Sequence, residues 1–246
     1  MSRVPRIHCP DLPAEGGTVA LGEGASRHLL RVLRLKPGAE LRLFDGRGRE
    51  HRARLAPGGP KSATARVLDA CDALAESSLR IVLMQGVGRG DRMDLAIQKA
   101  TELGVATIVP VLSARSVVRL TGDRTGRRLA HWQAVAISAC EQCGRASVPE
   151  ILAPASLDAA LAALPGDAIR LLPDPGAAEA FVDLPPPDAA LALLIGPEGG
   201  LEAAERRAAV AAGFRPVRLG PRILRTETAA IAAVTLAQGL WGDLVR

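Results

Sequence analysis

Two stretches near the carboxyl end of the chain carry residue types that could hold a ligand and act on it. Gly196-Pro-Glu-Gly-Gly200 follows the apolar run ending at Ile195, and Gly220-Pro-Arg-Ile-Leu-Arg-Thr226 follows the run ending at Leu219. Three of the five residues in the first loop lack a side chain, so a ligand can approach bare backbone amides. Pro197 fixes the turn, and Glu198 is presented from it. A tight structural turn has the same composition, and both readings stand on these residues alone. In the second loop Ile223 and Leu224 lie between Arg222 and Arg225. The apolar pair could wall an adenine, and Arg225 could meet a phosphate or a polar base edge. A solvated surface position is the alternative for each arginine. Thr226 is expected to cap a following helix whose first backbone amides stay open to a ligand. No Gly-Lys-Ser/Thr follows either loop, and Gly86, Gly88 and Gly90 miss the dinucleotide spacing, so phosphate-loop chemistry finds no support.

Loops of this kind work when a scaffold presents them, and the natural scaffold is a parallel sheet with ligands at the carboxyl ends of its strands. The pattern from Leu79 onward fits one. Strands are predicted at 79–84, 105–112, 168–172, 189–195 and 215–219. Helices are predicted at 91–103, 125–142, 202–212 and 226–241, with a short one capped by Ser156. Asp91 is expected to cap the first of these helices and Gly104 to end it. Residues 18–70 read differently: Glu40–Phe44 and Arg49–Leu55 alternate at period two around the Asp45-Gly46 turn, and another strand covers 63–68. Ser26–Arg34 reads as a short amphipathic helix with Arg27, Arg31 and Arg34 on one face. The fold class is therefore α/β, preceded by a small β-barrel, with the boundary near 72–78.

Charge divides the same way. Residues 1–70 hold 13 Lys and Arg against 7 Asp and Glu, and the remainder holds 18 against 19. A basic first third suggests a module for a polyanion, or else an ordinary solvated face. Aromatic residues make up 2% of the chain and tyrosine is absent, which disfavours RNA binding by extensive base stacking. Four cysteines are too few for a disulfide framework in a chain of 246 residues. Cys140-Glu-Gln-Cys143 has redox spacing, but no second cysteine pair or histidine cluster completes a metal site. The polar, proline-broken start is unlike a signal peptide, no apolar run approaches membrane-spanning length, and a cytoplasmic location is expected.

Leu193-Leu-Ile-Gly-Pro-Glu-Gly-Gly200 followed by Leu219-Gly-Pro-Arg-Ile-Leu-Arg-Thr-Glu-Thr-Ala229 resembles the signature of the RsmE family, bacterial 16S ribosomal RNA uracil-N3 methyltransferases. Gln98–Gly104, Ala139–Arg145, His28–Arg34 and Phe44–Gly46 extend the resemblance over residues 20 to 244. Glu202 departs from it, standing where a small polar residue is usual, and Leu171–Gly176 matches weakly. The resemblance implies a PUA-like RNA-binding domain (1–72) and a SPOUT-type α/β methyltransferase domain (73–246) with a carboxyl-terminal trefoil knot. It implies S-adenosylmethionine as cofactor, with no metal needed, a homodimer with the site near the subunit interface, and the small ribosomal subunit as partner. It places the cofactor on Leu194, Ile195, Gly196, Pro197, Glu198, Gly199, Gly200, Leu219, Gly220, Ile223, Leu224, Arg225, Thr226, Thr228 and Ala229. RNA would meet Arg27, Arg31, Arg34 and Arg47. Uracil N3 carries a weakly acidic proton, for which Glu198, Glu141 and Glu227 are candidate acceptors, with Arg225 and Arg145 as candidates to offset the resulting charge. A methyltransferase of another RNA or base position, or a non-catalytic RNA-binding protein of the same fold, remains the alternative.

Overall fold

The computed structural model describes residues 4–59, 62–116, 122–164, 166, 168–188 and 190–245. The chain forms two compact units. One comprises Met1–Glu76 together with Cys140–Val148, the other Ser77–Ala139 and Pro149–Arg246.

The first unit is built on a five-stranded sheet of described residues: β1 (Arg6–His8), β2 (Thr18–Ala20), β3 (Glu40–Phe44), β4 (Glu50–Ala56) and β5 (Thr64–Ala70), in the order β1-β3-β4-β5-β2. Only the β1–β3 pair is parallel. The period-two alternation of Glu40–Phe44 turns Leu41 and Leu43 into a core shared with Ala53, Leu55, Ala65 and Val67. A linear division of the chain misses one part of this unit, the return of Cys140–Val148. Gly46 and Arg47 form bridges to Ser147. The buried Arg6 guanidinium donates to Glu50 (2.8 and 3.1 Å) and to the Cys140 and Arg145 carbonyls, while lying 4.7 Å above the Phe44 ring. A buried arginine must have its donors met, and here four acceptors do so.

The helix expected over 26–34 is different in kind. A short helix, α1 (Glu23–Arg27), passes into a π-helical turn (His28–Val32), and Arg34 lies outside it with φ 51°. Leu33 N–H donates to the His28 carbonyl and Leu35 N–H to that of Leu29, closing the end much as a left-handed cap does. Arg34 holds the place usually given to glycine, at a cost of roughly 1–2 kcal/mol. The α-helical spacing expected for Arg27, Arg31 and Arg34 is thus replaced by a widened turn, and all three are exposed.

The second unit is a wholly parallel sheet in the described residues, with helices between its strands. Its strands are β6 (Arg80–Gly86), β7 (Thr107–Leu112), β8 (Glu150–Ile151), β9 (Ala155–Ser156), β10 (Ile169–Pro173), β11 (Ala190–Ile195) and β12 (Arg215–Val217). Their order is β12-β10-β11-β6-β7-β8, with β9 also on β7. Ala189, the expected start of β11, lies outside the described residues. The strand's six residues are all buried, as a central parallel strand requires. Burial of Leu191, Leu193, Leu194 and Ile195 contributes roughly 1.5–3 kcal/mol each. The helices are α2 (Asp91–Glu102), α3 (Asp123–Cys143, whose last turn belongs to the first unit), α4 (Leu157–Ala162), α5 (Ala203–Ala211) and α6 (Thr226–Trp241). Ser156 caps α4, its hydroxyl accepting from Ala159 N–H at 3.3 Å. Gly90, not Asp91, precedes α2, and the Asp91 side chain makes no cap there. Having entered the helix, Asp91 still favours its positive end. The α/β class and the small β-domain ahead of it are both present.

Candidate functional site

The two glycine-proline loops meet. They and the end of β10 surround a cleft of about 490 Å³ at the carboxyl ends of three adjacent strands, β10, β11 and β12. The first wall is Ile195, Gly196, Pro197, Glu198, Gly200 and Leu201; the second is Leu219, Gly220, Arg222, Ile223, Leu224, Arg225, Thr226 and Ala229. A third wall, Leu172–Pro175, was not assigned from sequence. Its Leu-Pro-Asp-Pro sequence matches the family signature only weakly, and the strand order places it here.

One hydroxyl holds the loops together. Thr226 Oγ1 donates to the Gly196 carbonyl at 2.6 Å and accepts from Gln85 Nε2 at 2.8 Å. It is the first residue of α6, and Arg225 stands at the cap position without a side-chain cap bond. Thr226 therefore does not cap the helix as expected; its hydroxyl is spent on tying the helix to β6 and β11. The amides of the first turn of α6 still have no partner within the helix and remain a donor set for a ligand. Gly86 is the other requirement. A Cβ there would lie 2.7 Å from the Gly196 carbonyl carbon, so only glycine lets the β6 end pass under the first loop.

Electrostatics favour a ligand of mixed character. Glu198 Oε1 accepts from Arg89 N–H at 3.0 Å and pairs with Arg92 at 3.3 Å. Burial alone would raise this carboxyl, but the backbone amides of Glu198 and Arg89 and the Arg92 guanidinium hold it below its ordinary range. It stays ionised. Asp174, on the third wall, is paired with Arg206. The Arg222 and Arg225 guanidiniums make no hydrogen bond or ion pair among the described residues and stand exposed at the rim. Apolar walls, free amides, two anchored carboxylates and two open guanidiniums suit a nucleoside that bears both an amino and a carboxylate group. The donor set thus fits S-adenosylmethionine.

The other expected cofactor residues differ in place. Leu194 is fully buried in the sheet, and its side chain packs the core. Gly199 accepts at its carbonyl from Arg115 (3.0 Å) and does not line the cleft. Thr228 is exposed on α6 and also outside the cleft. Ile223 lines the rim but is 88% exposed, so little of it walls anything within this chain. Glu202 keeps a capping role despite its unusual identity: its N–H donates to Glu205 Oε2 at 2.8 Å at the start of α5.

Two candidate catalytic residues, Glu141 and Arg145, belong to the first unit. Arg145 is buried and paired with Glu76 at 2.6 Å. Glu141 Oε1 accepts from His8 N–H at 3.1 Å, and burial pushes its carboxyl up despite that bond. Glu227 is buried in the first turn of α6, with Oε2 lacking a hydrogen-bond partner among the described residues. The Cys140 thiol is pushed up to about 12 by burial, which leaves it unreactive as a thiolate at neutral pH. No group of His, Cys, Asp and Glu that could hold a metal occurs among the described residues. Among them, no helix is long and apolar enough to cross a membrane.

Residues 75–238 match the RNA methyltransferase domain, and residues 21–68 match the RNA methyltransferase PUA domain. The ribosomal RNA small subunit methyltransferase E of Buchnera aphidicola (subsp. Schizaphis graminum) is 32% identical over 98% of both chains. The crystal structure of the corresponding enzyme from Neisseria gonorrhoeae, bound to S-adenosylmethionine, superposes with a TM-score of 0.92 at 42% identity, covering 99% of this chain and 100% of that one. A Legionella pneumophila protein in complex with the same cofactor gives 0.94 at 36% identity, covering 98% and 100%. A parallel sheet with a nucleoside-sized cleft, in a chain that also carries a small PUA-type domain, defines an RNA methyltransferase by class. Within that class the chain belongs to the family of the ribosomal RNA small subunit methyltransferases E.

Proposed function

We propose that the chain transfers the methyl group of S-adenosylmethionine to N3 of a uridine in 16S ribosomal RNA of the small subunit. The observation that carries this is the meeting of the β10, β11 and β12 loops on one cleft that fits the cofactor. Support comes also from relatives named for the small-subunit RNA and from neighbours solved with S-adenosylmethionine bound. The same reading makes the active species a homodimer in the cytoplasm, with a trefoil knot in its carboxyl-terminal part. RNA capture falls to the first unit and chemistry to the second.

When bound, the cofactor supplies an electrophilic methyl carbon, so the chain's task is to align a nucleophile with it. Leu172, Leu219 and Leu224 exclude water from an apolar ring, and the first amides of α6 orient polar groups. Glu198, kept ionised, would favour the positive charge of the ligand and serves poorly as a proton acceptor. Arg225, open at the rim, offsets negative charge on the uracil oxygens as N3 gives its proton to solvent and takes the methyl group. The target base must be unpaired or drawn out of its stack to reach the cleft.

Calorimetric titration with S-adenosylmethionine, followed by labelled methyl transfer to small subunits lacking the modification, tests the proposal. Saturable binding with label in the small-subunit RNA is expected. Binding without transfer to any RNA, or label confined to another RNA, overturns it.

A further inference from the structure

An exposed apolar pair in the first unit has no role in the cleft. Val32 is 65% exposed and Leu33 40%, and they lie within Arg31–Arg34, a run that is exposed throughout. They end the π-helical turn, whose Leu29 is sealed in the core, so the turn is anchored at one side and presents the pair at the other. Arg27, Arg31, Arg34 and Lys36 are exposed around it. None of the four makes an ion pair among the described residues. Arg34 is also the one described non-glycine residue in the left-handed region. A glycine would sit there at lower cost, so the backbone gives no reason for an arginine.

We infer that Val32 and Leu33 form a wedge that packs on the face of an unstacked base in RNA, while Arg27, Arg31 and Arg34 hold the phosphates on either side. The charge selects a polyanion. The apolar tip selects a site where base faces are exposed, a bulge or loop, since a paired A-form helix offers side chains only phosphates, hydroxyls and a shallow groove. In a chain with so few aromatic residues, aliphatic side chains do the work that aromatic rings do elsewhere. The inference deepens the proposed function by giving the RNA a feature it must have near the first unit. It rests on that reading for the identity of the RNA but not for the mode of contact.

The test is binding rather than methylation, so its failure is separable from failure of the proposed reaction. Full-length protein is titrated with an RNA hairpin bearing a bulge and with a fully paired duplex of equal length, over a range of salt. Arg34→Gly is expected to keep or raise the melting temperature while lowering affinity, with the salt slope reduced by about 0.7–0.9. The double variant Val32→Ser, Leu33→Ser is expected to lose affinity for the bulged hairpin on the order of tenfold with the slope unchanged. Its affinity for the duplex should barely move. Equal affinity of the double variant and the parent for the bulged RNA overturns the wedge. A change of oligomeric state in the double variant, read by light scattering, overturns it too, because a second copy of the chain would then cover the pair. An unchanged salt slope in Arg34→Gly removes that arginine from the grip.

Discussion

Thr226→Val is the most incisive substitution in the cleft, because it keeps the shape of the side chain and deletes only the hydroxyl. Valine is tolerated in the first turn of a helix, so the backbone is not at issue. The hydroxyl serves two bonds, one to the Gly196 carbonyl at 2.6 Å and one from Gln85 Nε2 at 2.8 Å. Gln85 keeps a second acceptor, the Gly86 carbonyl at 3.1 Å, but the half-buried Gly196 carbonyl loses its donor. Two net bonds at about 1 kcal/mol each, with part of the cost of one stranded carbonyl, give a loss of about 2–3 kcal/mol. For a chain of this length that corresponds to a melting temperature lower by roughly 5–10 °C. The first glycine loop would lose its tie to α6, and cofactor affinity should fall as well. Differential scanning calorimetry and titration with S-adenosylmethionine read the two effects. Thr226→Ser, which restores the hydroxyl, should recover most of both. A Thr226→Val protein melting within about 1 °C of the parent, with unchanged cofactor affinity, refutes the claim that this hydroxyl joins the two loops.

Other consequences are equally direct. Arg225→Ala should lower the methylation rate by about 10²–10³-fold, the usual cost of one donor to a developing anion, with a much smaller loss of cofactor affinity; equal losses in both contradict its assignment to the base. Arg6→Met leaves the buried Glu50 carboxylate with only the partly exposed Arg42 at 3.6 Å, and should cost about 3–5 kcal/mol in chemical denaturation. Cys140, its thiol held up near 12, should resist alkylation in the native protein at mildly alkaline pH; rapid labelling counts against its burial. The depressed Glu198 carboxyl contributes stability that is present above the ordinary carboxylate range and lost as pH falls through its lowered folded value. Glu198→Gln should accordingly flatten the acid limb of the stability profile, and an unchanged limb places the dependence elsewhere.

Much of the second unit was legible because local signals agree with the global fold. The apolar run at Leu191–Ile195 is short, free of polar residues and closed by Gly196, and it is the buried centre of the sheet. The last helix begins at Thr226 and ends at Trp241, as its pattern suggests. The two loops stood out because glycine and proline cluster where strands must end. What stayed hidden depends on pairings across long stretches of chain. Leu172–Pro175 enters the cleft only because β10 lies between β11 and β12, an order no local pattern encodes. The return of Cys140–Val148 to the first unit rests on Arg6 reaching carbonyls 134 and 139 residues away. That return buries Arg145 and pairs it with the partly exposed Glu76 at 2.6 Å, a pairing no local pattern encodes. Arg34 departs from the expected helix for a local reason: the sequence pattern predicts normal pitch, and the turn is π-helical.

The central claim is methyl transfer to N3 of a uridine. It is tested most directly by incubating the protein with S-adenosylmethionine and small subunits that lack the modification, then digesting the RNA and identifying the methylated nucleoside by mass spectrometry. The account predicts a single methylated product, N3-methyluridine, at one position of the 16S RNA. A methyl group on another base or ring atom, or on ribose, would contradict it.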